Sequence, residues 1–156
     1  MKINKIAIIG LGYVGLPLAV SLCKSFKVLG LDINKKRIRE LRAGKDSTNE
    51  VSSVNLKMSM NRNLEITSEQ DDLSNCNVYI VTVPTPVTKS NKPDFSYLLN
   101  SCKMIGSTMK KHSIIIFEST VFPGATQDIC GREIEKASGM IMERDFFLGY
   151  SPERIN

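Results

Sequence analysis

Three glycines near the start of the chain have the spacing of a pyrophosphate-binding turn. Gly10, Gly12 and Gly15 form a G-x-G-x-x-G pattern directly after the apolar run 6–9. In dinucleotide-binding folds the first glycine turns the backbone off a strand, the second admits the pyrophosphate, and the third lets a helix pack closely. The helix start also directs unpaired N–H groups at the phosphates. This pattern therefore predicts a dinucleotide site.

An acidic residue ends the next apolar run. Asp32 follows the run 28–31, about twenty residues after the second glycine, where a carboxylate accepts hydrogen bonds from the adenosine ribose and its charge repels the 2′-phosphate of NADP. We therefore expect NAD. Lys35, Lys36 and Arg37 are the counter-argument, because they could bind that phosphate. We interpret this basic run as a solvated helix face, with the alternative that Arg37 flanks the adenosine end.

Further polar residues follow the other predicted strands. They are Thr85, after the run 78–83, and Glu118 and Thr120, after the run 113–117. Ligands of open α/β sheets bind outside the carboxyl ends of the strands, so both threonines are expected within reach of the cofactor. Glu118 is either a base or a loop anchor. Residues 151–155 join this group if the last predicted strand, 146–150, is parallel to the others.

The single histidine and the four cysteines are not expected to do chemistry. His112 stands beside two lysines ahead of an apolar run, which favours a solvated loop residue over a catalytic base. Cys23, Cys102 and Cys130 fall at helical packing positions. The cysteines, with Cys76, form no C-x-x-C pair, so reduced thiols fit better than disulfides or a metal site.

Strand and helix patterns alternate along the whole sequence. This alternation predicts an α/β protein with a Rossmann-type doubly wound, mainly parallel sheet, in one domain over residues 1–156. Expected helices follow Gly15, run from an Asn34 cap to Gly44, run from an Asp94 cap to Met109, and run from Pro123–Gly124 to Ser138–Gly139. Residues 45–63 are expected to be loop with a short helix.

The composition is that of an ordinary soluble domain. Apolar residues make up 42% and charged residues 24% of 156 residues, and the net charge is +5. No apolar run approaches membrane-spanning length, and the basic run lacks interleaved aromatics, so we expect no membrane and no nucleic-acid partner. The expected location is the cytoplasm.

These motifs, taken in order, resemble a known family. They are Gly10–Ala19, Asp32–Asn34, Val83–Pro86, Pro93–Asp94, Glu118–Thr120, Pro123–Gly124 and Tyr150–Ile155. Together they resemble the N-terminal NAD-binding domain of the UDP-glucose/GDP-mannose dehydrogenase family. Leu16–Pro17 and residues 152–155 make the chain most similar to the UDP-N-acetylhexosamine 6-dehydrogenases of bacterial surface-polysaccharide synthesis.

The resemblance implies a reaction and a set of site residues. The family oxidises the C6 alcohol of a nucleotide sugar to a carboxylate with two NAD, through an aldehyde that a cysteine captures and a thioester that water hydrolyses. The implied NAD contacts are Tyr13, Val14, Asp32, Arg37, Thr85 and Thr120, beside the three glycines. The implied catalytic residues are Thr120, which would position the reacting water, and Glu153. Arg154 and Ile155 would bind the UDP-sugar substrate.

The resemblance also sets an expectation about completeness. The family's nucleophilic cysteine, active-site lysine and asparagine, dimer-forming central helix and UDP-binding domain all follow the matched region. We therefore expect this chain to bind NAD without turning over substrate by itself, and the full-length enzyme to be a homodimer. The alternatives are a truncated, non-catalytic NAD-binding module, or another Rossmann dehydrogenase such as one acting on β-hydroxy acids.

Overall fold

Six parallel strands form one sheet in the order β3-β2-β1-β4-β5-β6. The computed structural model describes residues 2–87, 93–118 and 126–151. The strands are β1 (Ile6–Ile9), β2 (Val28–Leu31), β3 (Leu64–Thr67), β4 (Val78–Val81), β5 (Ser113–Phe117) and β6 (Phe146–Tyr150). Four of them, β1 to β4, begin in register, with Ile6 opposite Val28 and Val78. The predicted doubly wound parallel sheet is confirmed.

The strand order reverses between β1 and β4. The chain moves outward from β1 through β2 to β3, and then returns to place β4 on the other side of β1. In open α/β sheets this switch point opens a crevice at the carboxyl ends of the two central strands. The glycine motif follows β1, so the topology brings it to that crevice.

Helices cover both faces of the sheet. They are α1 (Gly15–Leu22), α2 (Lys35–Arg42), α3 (Ser53–Met60), α4 (Ser96–Thr108) and α5 (Arg132–Ser138). One core joins Ile8 and Ile80 to Leu16 of α1 and Leu41 of α2. The other core joins the alternate strand residues, such as Tyr79, to α4 and α5. Both sides of each central strand are therefore buried, which accounts for the continuous apolar runs in the sequence.

The helix ends agree with most of the sequence signals. The Asn34 side chain caps α2 by accepting from the Lys36 and Arg37 N–H groups. Gly44 follows this helix with a φ of 77°. Helix α5 is followed by Gly139, whose backbone is also in the left-handed region, and it is preceded by a π-helical turn, Thr126–Gly131. The predicted start at Pro123–Gly124 lies outside the described residues.

Two predicted boundaries are displaced, the first by two residues and the second by one. Strand β4 ends at Val81 rather than Val83. The Thr82 N–H still donates to the Ile9 carbonyl at 2.9 Å, and residues 82–84 line the crevice. Phe95 rather than Asp94 directly precedes α4, which begins at Ser96, but the Asp94 carboxylate still accepts from the Ser96 N–H at 2.9 Å. In the described part of the chain, no helix is long and apolar enough to cross a membrane.

Candidate functional site

The glycine turn, residues 10–15, leaves β1 with a backbone that needs glycine twice. Gly10 has a φ of 96°, and its N–H donates to the Leu31 carbonyl at 2.8 Å, so the turn stays tied to β2. A Cβ on Gly15 would overlap the Gly10 carbonyl oxygen and the Thr82 hydroxyl. Helix α1 therefore begins closer to the sheet than a larger residue allows.

Gly12 is the exposed point of the same turn. A Cβ on this residue would meet no other atom within 4 Å, so nothing in the protein requires a glycine here. Gly12 lines both of the cavities that meet at the turn. The missing side chain leaves open space above the backbone, which is what a pyrophosphate approaching the main chain requires.

Asp32 and Arg37 hold the two sides of the Leu11 backbone. The Leu11 N–H donates to Asp32 Oδ2 at 3.0 Å, and the Leu11 carbonyl accepts from Arg37 Nε at 3.0 Å. Asp32 Oδ1 also accepts from the Asn34 N–H at 2.9 Å. These bonds fix the carboxylate at the cavity wall, where each oxygen keeps acceptor capacity for a ligand hydroxyl.

Arg37 does not lie on a solvated face, so that interpretation of the basic run is wrong for this residue. Its exposed fraction is 7%, whereas Lys35 and Lys36 are exposed. The guanidinium forms an ion pair with Asp46 at 2.7 Å and donates to the Ser47 hydroxyl at 3.0 Å. Helix α2 directs the Arg37 side chain inward, beneath the glycine turn.

Thr82 is a site residue that sequence reasoning missed. Its hydroxyl lies 2.7 Å from the Gly10 carbonyl oxygen and 3.1 Å from that of Ile9, so β4 holds the glycine turn from the side opposite β2. The signal was available in part, because Thr82 is the next-to-last residue of the predicted strand 78–83. Its pairing with the turn depended on β1 and β4 being neighbours.

Two cavities meet at Gly12. The first, of about 490 Å³, is lined by Gly10, Gly12, Asp32, Ile33, Thr82, Tyr97, Asn100 and Met104, among others. The second, of about 750 Å³, is lined by Gly12, Tyr13, Val14, Thr82, Thr85, Pro93 and Glu118, among others. The wall of the second includes the proline segment, residues 84–87. Among the predicted site residues that the structure describes, all but Gly15 and Arg37 therefore line one crevice.

The structure does not describe every predicted site residue. Thr120, Glu153, Arg154 and Ile155 lie outside the described residues. Strand β6 is parallel to β5, and the Ser151 N–H donates to the Phe117 carbonyl at 3.0 Å. Residue 151 therefore leaves the sheet at the same edge as the glycine turn.

The four cysteines are buried and the single histidine is exposed. All four cysteines are buried and free of disulfides. Burial raises the pKa of Cys76 to about 11, and a hydrogen bond with Cys130, together with burial, raises the pKa of the Cys102 thiol. His112 is exposed. Among the residues that the structure describes, no group of three or more His, Cys, Asp or Glu side chains could hold a metal.

A glycine turn at the switch point of a parallel sheet, with a fixed aspartate at the end of β2, defines a Rossmann-type dinucleotide-binding protein. The sequence model described as "UDP-glucose/GDP-mannose dehydrogenase family, NAD binding domain" matches residues 4–156. The chain belongs to this family, and its cofactor is NAD. The resemblance drawn from the motifs is confirmed, and so is the cofactor that Asp32 predicted.

Similar proteins carry UDP-sugar dehydrogenase names. The chain is 52% identical to UDP-N-acetyl-D-glucosamine 6-dehydrogenase of Pseudomonas aeruginosa over 100% of its own length and 36% of the relative. It is 47% identical to the Salmonella typhi protein of that name over 97% and 35%. A structure of UDP-D-ManNAc dehydrogenase from Pyrococcus horikoshii matches with a TM-score of 0.90 and 32% identity, covering 97% of this chain and 37% of that one. The chain thus spans about a third of these relatives.

Proposed function

We propose that this chain is the cofactor-binding part of a UDP-N-acetylhexosamine 6-dehydrogenase that works in the cytoplasm for surface-polysaccharide synthesis. The observation that carries the proposal is the Asp32 carboxylate, fixed at the cavity wall by the Leu11 N–H beside the open space at Gly12. Names of relatives that cover the whole chain support the UDP-sugar class.

The two cavities suit the two halves of NAD. The adenosine half would occupy the first cavity, with its ribose on Asp32 and its base against Ile33, which is 62% exposed. The pyrophosphate would cross Gly12, which is common to both cavities. The nicotinamide half would occupy the second cavity, beside Tyr13 and Thr85.

The preference for NAD over NADP has two supports. The Asp32 charge opposes a 2′-phosphate. The cation that could have offset this charge, Arg37, is already paired with Asp46 at 2.7 Å. Lys35 and Lys36 are exposed at the start of α2, where solvent and salt screen them.

Bound NAD supplies the hydride acceptor for the oxidation of the sugar alcohol. The chain's own residues would orient that acceptor: Tyr13, Val14 and Thr85 from the walls of the second cavity, and Thr120, which follows β5 in the sequence. In the proposal Thr120 also positions the reacting water, Glu153 acts at the substrate edge, and Arg154 and Ile155 contact the UDP-sugar. These last roles follow from the family motifs.

The proposal places residues 1–156 in one NAD-binding domain and assigns the rest of the chemistry to other parts of the family enzyme. The covalent step needs a cysteine thiolate. The four cysteines present are buried, so this chain by itself should hold NAD without oxidising a sugar. The full-length enzyme is proposed to be a homodimer.

Cofactor binding is tested by calorimetric titration of the 156-residue chain with NAD⁺ and with NADP⁺. We expect NAD⁺ to bind at least about tenfold more tightly, a difference of 1.4 kcal/mol. Equal affinities would contradict the role of Asp32, and absence of binding by both would overturn the proposed cofactor site.

Activity is tested by extending the reading frame past Asn156 and following NADH formation. With UDP-N-acetylhexosamines the extended protein should form two NADH per sugar, and UDP-glucose should serve as the matched control substrate with a lower kcat/KM. NADH production by the 156-residue chain alone would refute the proposal that this chain binds NAD without oxidising the sugar. A frame that closes without a cysteine-containing segment would favour a non-catalytic NAD-binding module.

A further inference from the structure

The loop of residues 46–51, the Asp46 loop, is built around one buried carboxylate. The side chain of Asp46 is 1% exposed. Its Oδ1 accepts from the Thr48 N–H at 3.0 Å and from the Thr48 hydroxyl at 2.7 Å. Its Oδ2 accepts from the N–H groups of Glu50 and Val51, both at 2.9 Å. Hydrogen bonds within the loop therefore fix the position of this carboxylate without any contribution from a cation.

Asp46 is held in its charged form. Burial on its own would raise the pKa of this carboxyl, but the bonds from Thr48, Val51 and Arg37 outweigh burial and lower the pKa far below its usual range. A fixed anion of this kind sets the plane of the guanidinium that pairs with it, since the donors of arginine lie in a rigid fork.

The Arg37 guanidinium joins the Asp46 loop to the glycine turn. Arg37 Nη2 lies 2.7 Å from Asp46 Oδ1, and Arg37 Nε donates to the Leu11 carbonyl at 3.0 Å. Nη1 donates to the Ser47 hydroxyl at 3.0 Å. The guanidinium thus faces the Asp46 loop on one side and Leu11 on the other. It is not among the lining residues of either cavity at the turn.

Holding the Leu11 carbonyl also orients the next N–H group. In a trans peptide the carbonyl oxygen and the following N–H point in opposite directions, and the described peptides are trans. With its carbonyl turned toward Arg37, the Leu11–Gly12 peptide presents the Gly12 N–H to the opposite side. Without that bond the peptide could rotate at little cost, because Gly12 has no Cβ.

We propose that Asp46 is a positioning residue for the cofactor: through Arg37 it fixes the Leu11–Gly12 peptide in the orientation that a dinucleotide pyrophosphate requires. The inference rests on the proposed function, in which the pyrophosphate of NAD crosses Gly12. It assigns Arg37 a role through the backbone, beside the prediction from the family motifs that Arg37 contacts NAD itself.

A stabilising role alone accounts poorly for this arrangement. Buried ion pairs add little net stability, because the desolvation of both charges offsets their attraction. The Asp46 loop is already closed by bonds from its own backbone. The bond from Arg37 to the Leu11 carbonyl joins residues 26 positions apart. It fixes the backbone of the glycine turn and is not needed to close the Asp46 loop.

The test compares Asp46→Asn, Arg37→Lys and the double variant with the unchanged 156-residue chain. Asparagine keeps the size of Asp46 but loses the charge and one acceptor. Lysine keeps the charge of Arg37 but loses the fork. We expect each single change to weaken NAD⁺ binding by about tenfold, and the double variant to bind no more weakly than the weaker single variant, because coupled residues are not additive.

Asp145→Asn is the matched control. Asp145 is also a buried aspartate paired with cations, Arg144 at 2.7 Å and Lys111 at 3.2 Å, but it precedes β6 at the opposite edge of the sheet. This control should lower Tm without changing the dissociation constant for NAD⁺. Asp46 variants that lower Tm yet bind NAD⁺ as the parent does would show a structural role only and overturn the proposal. So would an Arg37→Lys variant with unchanged affinity.

A measurement without cofactor separates this inference from the proposed function. In ¹⁵N NMR spectra the Arg37 Nε–H should exchange slowly, and Asp46→Asn should speed its exchange at least tenfold and shift the Gly12 amide signal. If the parent chain fails to bind NAD⁺ while these changes occur, the cofactor proposal fails and the positioning of the turn stands. An unchanged Gly12 signal in Asp46→Asn would overturn the positioning role whatever NAD⁺ does.

Discussion

The glycine turn and the proline segment line the same crevice, but different physical means hold them in place. The turn is tied by side chains from three elements: Asp32 after β2, Arg37 from α2 and Thr82 after β4. The proline segment carries its constraint in covalent rings, since Pro84 and Pro86 fix their own φ. Its end is closed by a bond from the Asp94 N–H to the Pro86 carbonyl at 2.7 Å.

This difference separates the consequences of substitution. The glycine turn is continuous with the core through Gly15 and Thr82, so a change there should reach the stability of the whole domain. The proline segment is exposed, with Val87 at 70%, so a change there should stay local. The glycine turn, on the adenosine side of the crevice, is thus coupled to the core, whereas the proline segment on the other side lies at the surface.

Gly15→Ala should have the largest effect. Its Cβ would overlap the Gly10 carbonyl oxygen and the Thr82 hydroxyl, and relieving the clash means moving α1 away from the sheet. We expect a loss of about 3 kcal/mol in the free energy of unfolding, seen as a Tm lowered by about 6–12 °C in thermal denaturation. Gly12→Ala is the control: it should keep the parent Tm and lose at least about tenfold in NAD⁺ affinity. Equal Tm losses in both variants would contradict the comparison.

Asp32→Asn should change the choice of cofactor. The amide retains one acceptor for the Leu11 and Asn34 N–H groups and removes the charge that opposes a 2′-phosphate. Hydrogen bonds to charged groups contribute about 1.5–3 kcal/mol, so NAD⁺ affinity should fall by roughly 10- to 100-fold while the preference over NADP⁺ shrinks. Calorimetry with both cofactors measures this, with Lys36→Ala as an exposed control on the following helix, α2. A variant that still discriminates as the parent does would show that another group rejects the 2′-phosphate.

Thr82→Val should have an intermediate effect. Valine keeps the shape of threonine but leaves the Gly10 carbonyl without the hydroxyl that lies 2.7 Å from it. We expect a loss of about 1 kcal/mol in the free energy of unfolding, measured by urea denaturation, and NAD⁺ binding weakened by roughly fivefold. Thr82→Ser keeps the donor and should restore the affinity. If serine and valine weaken binding equally, the methyl group rather than the hydroxyl is what the turn needs.

Pro86→Ala should have the smallest effect. Alanine can adopt the same backbone, and the cost lies mainly in the greater freedom of the unfolded chain, about 0.4–1 kcal/mol. We expect a Tm decrease of a few degrees and a change in NAD⁺ affinity below about threefold, followed by calorimetry and thermal denaturation. A loss as large as that of Thr82→Val would show that the proline segment is as closely coupled to the fold as the glycine turn.

The comparison also shows which features were predictable from the sequence. Gly10, Gly12, Gly15 and Asp32 could be recognised in the sequence as a dinucleotide motif, because turn geometry and ribose recognition restrict residue type at short spacing. Five of the six strands were predicted from their apolar runs, apart from the two-residue error at the end of β4. The placements of Arg37 and Thr82 were not predicted from the sequence, since Arg37 was interpreted as solvated and Thr82 was overlooked.

The sequence by itself determined the fold class, the cofactor and the family, because each depends on local patterns: apolar periodicity, glycine spacing and an acid at a strand end. Only the tertiary structure decided what holds the glycine turn in place. Thr82 reaches Gly10 because the sheet order makes β4 the neighbour of β1. Arg37 contacts both Asp46 and Leu11 because the loop that follows α2 packs beside the glycine turn. Such contacts join residues that are far apart in the chain, and no local spacing encodes them.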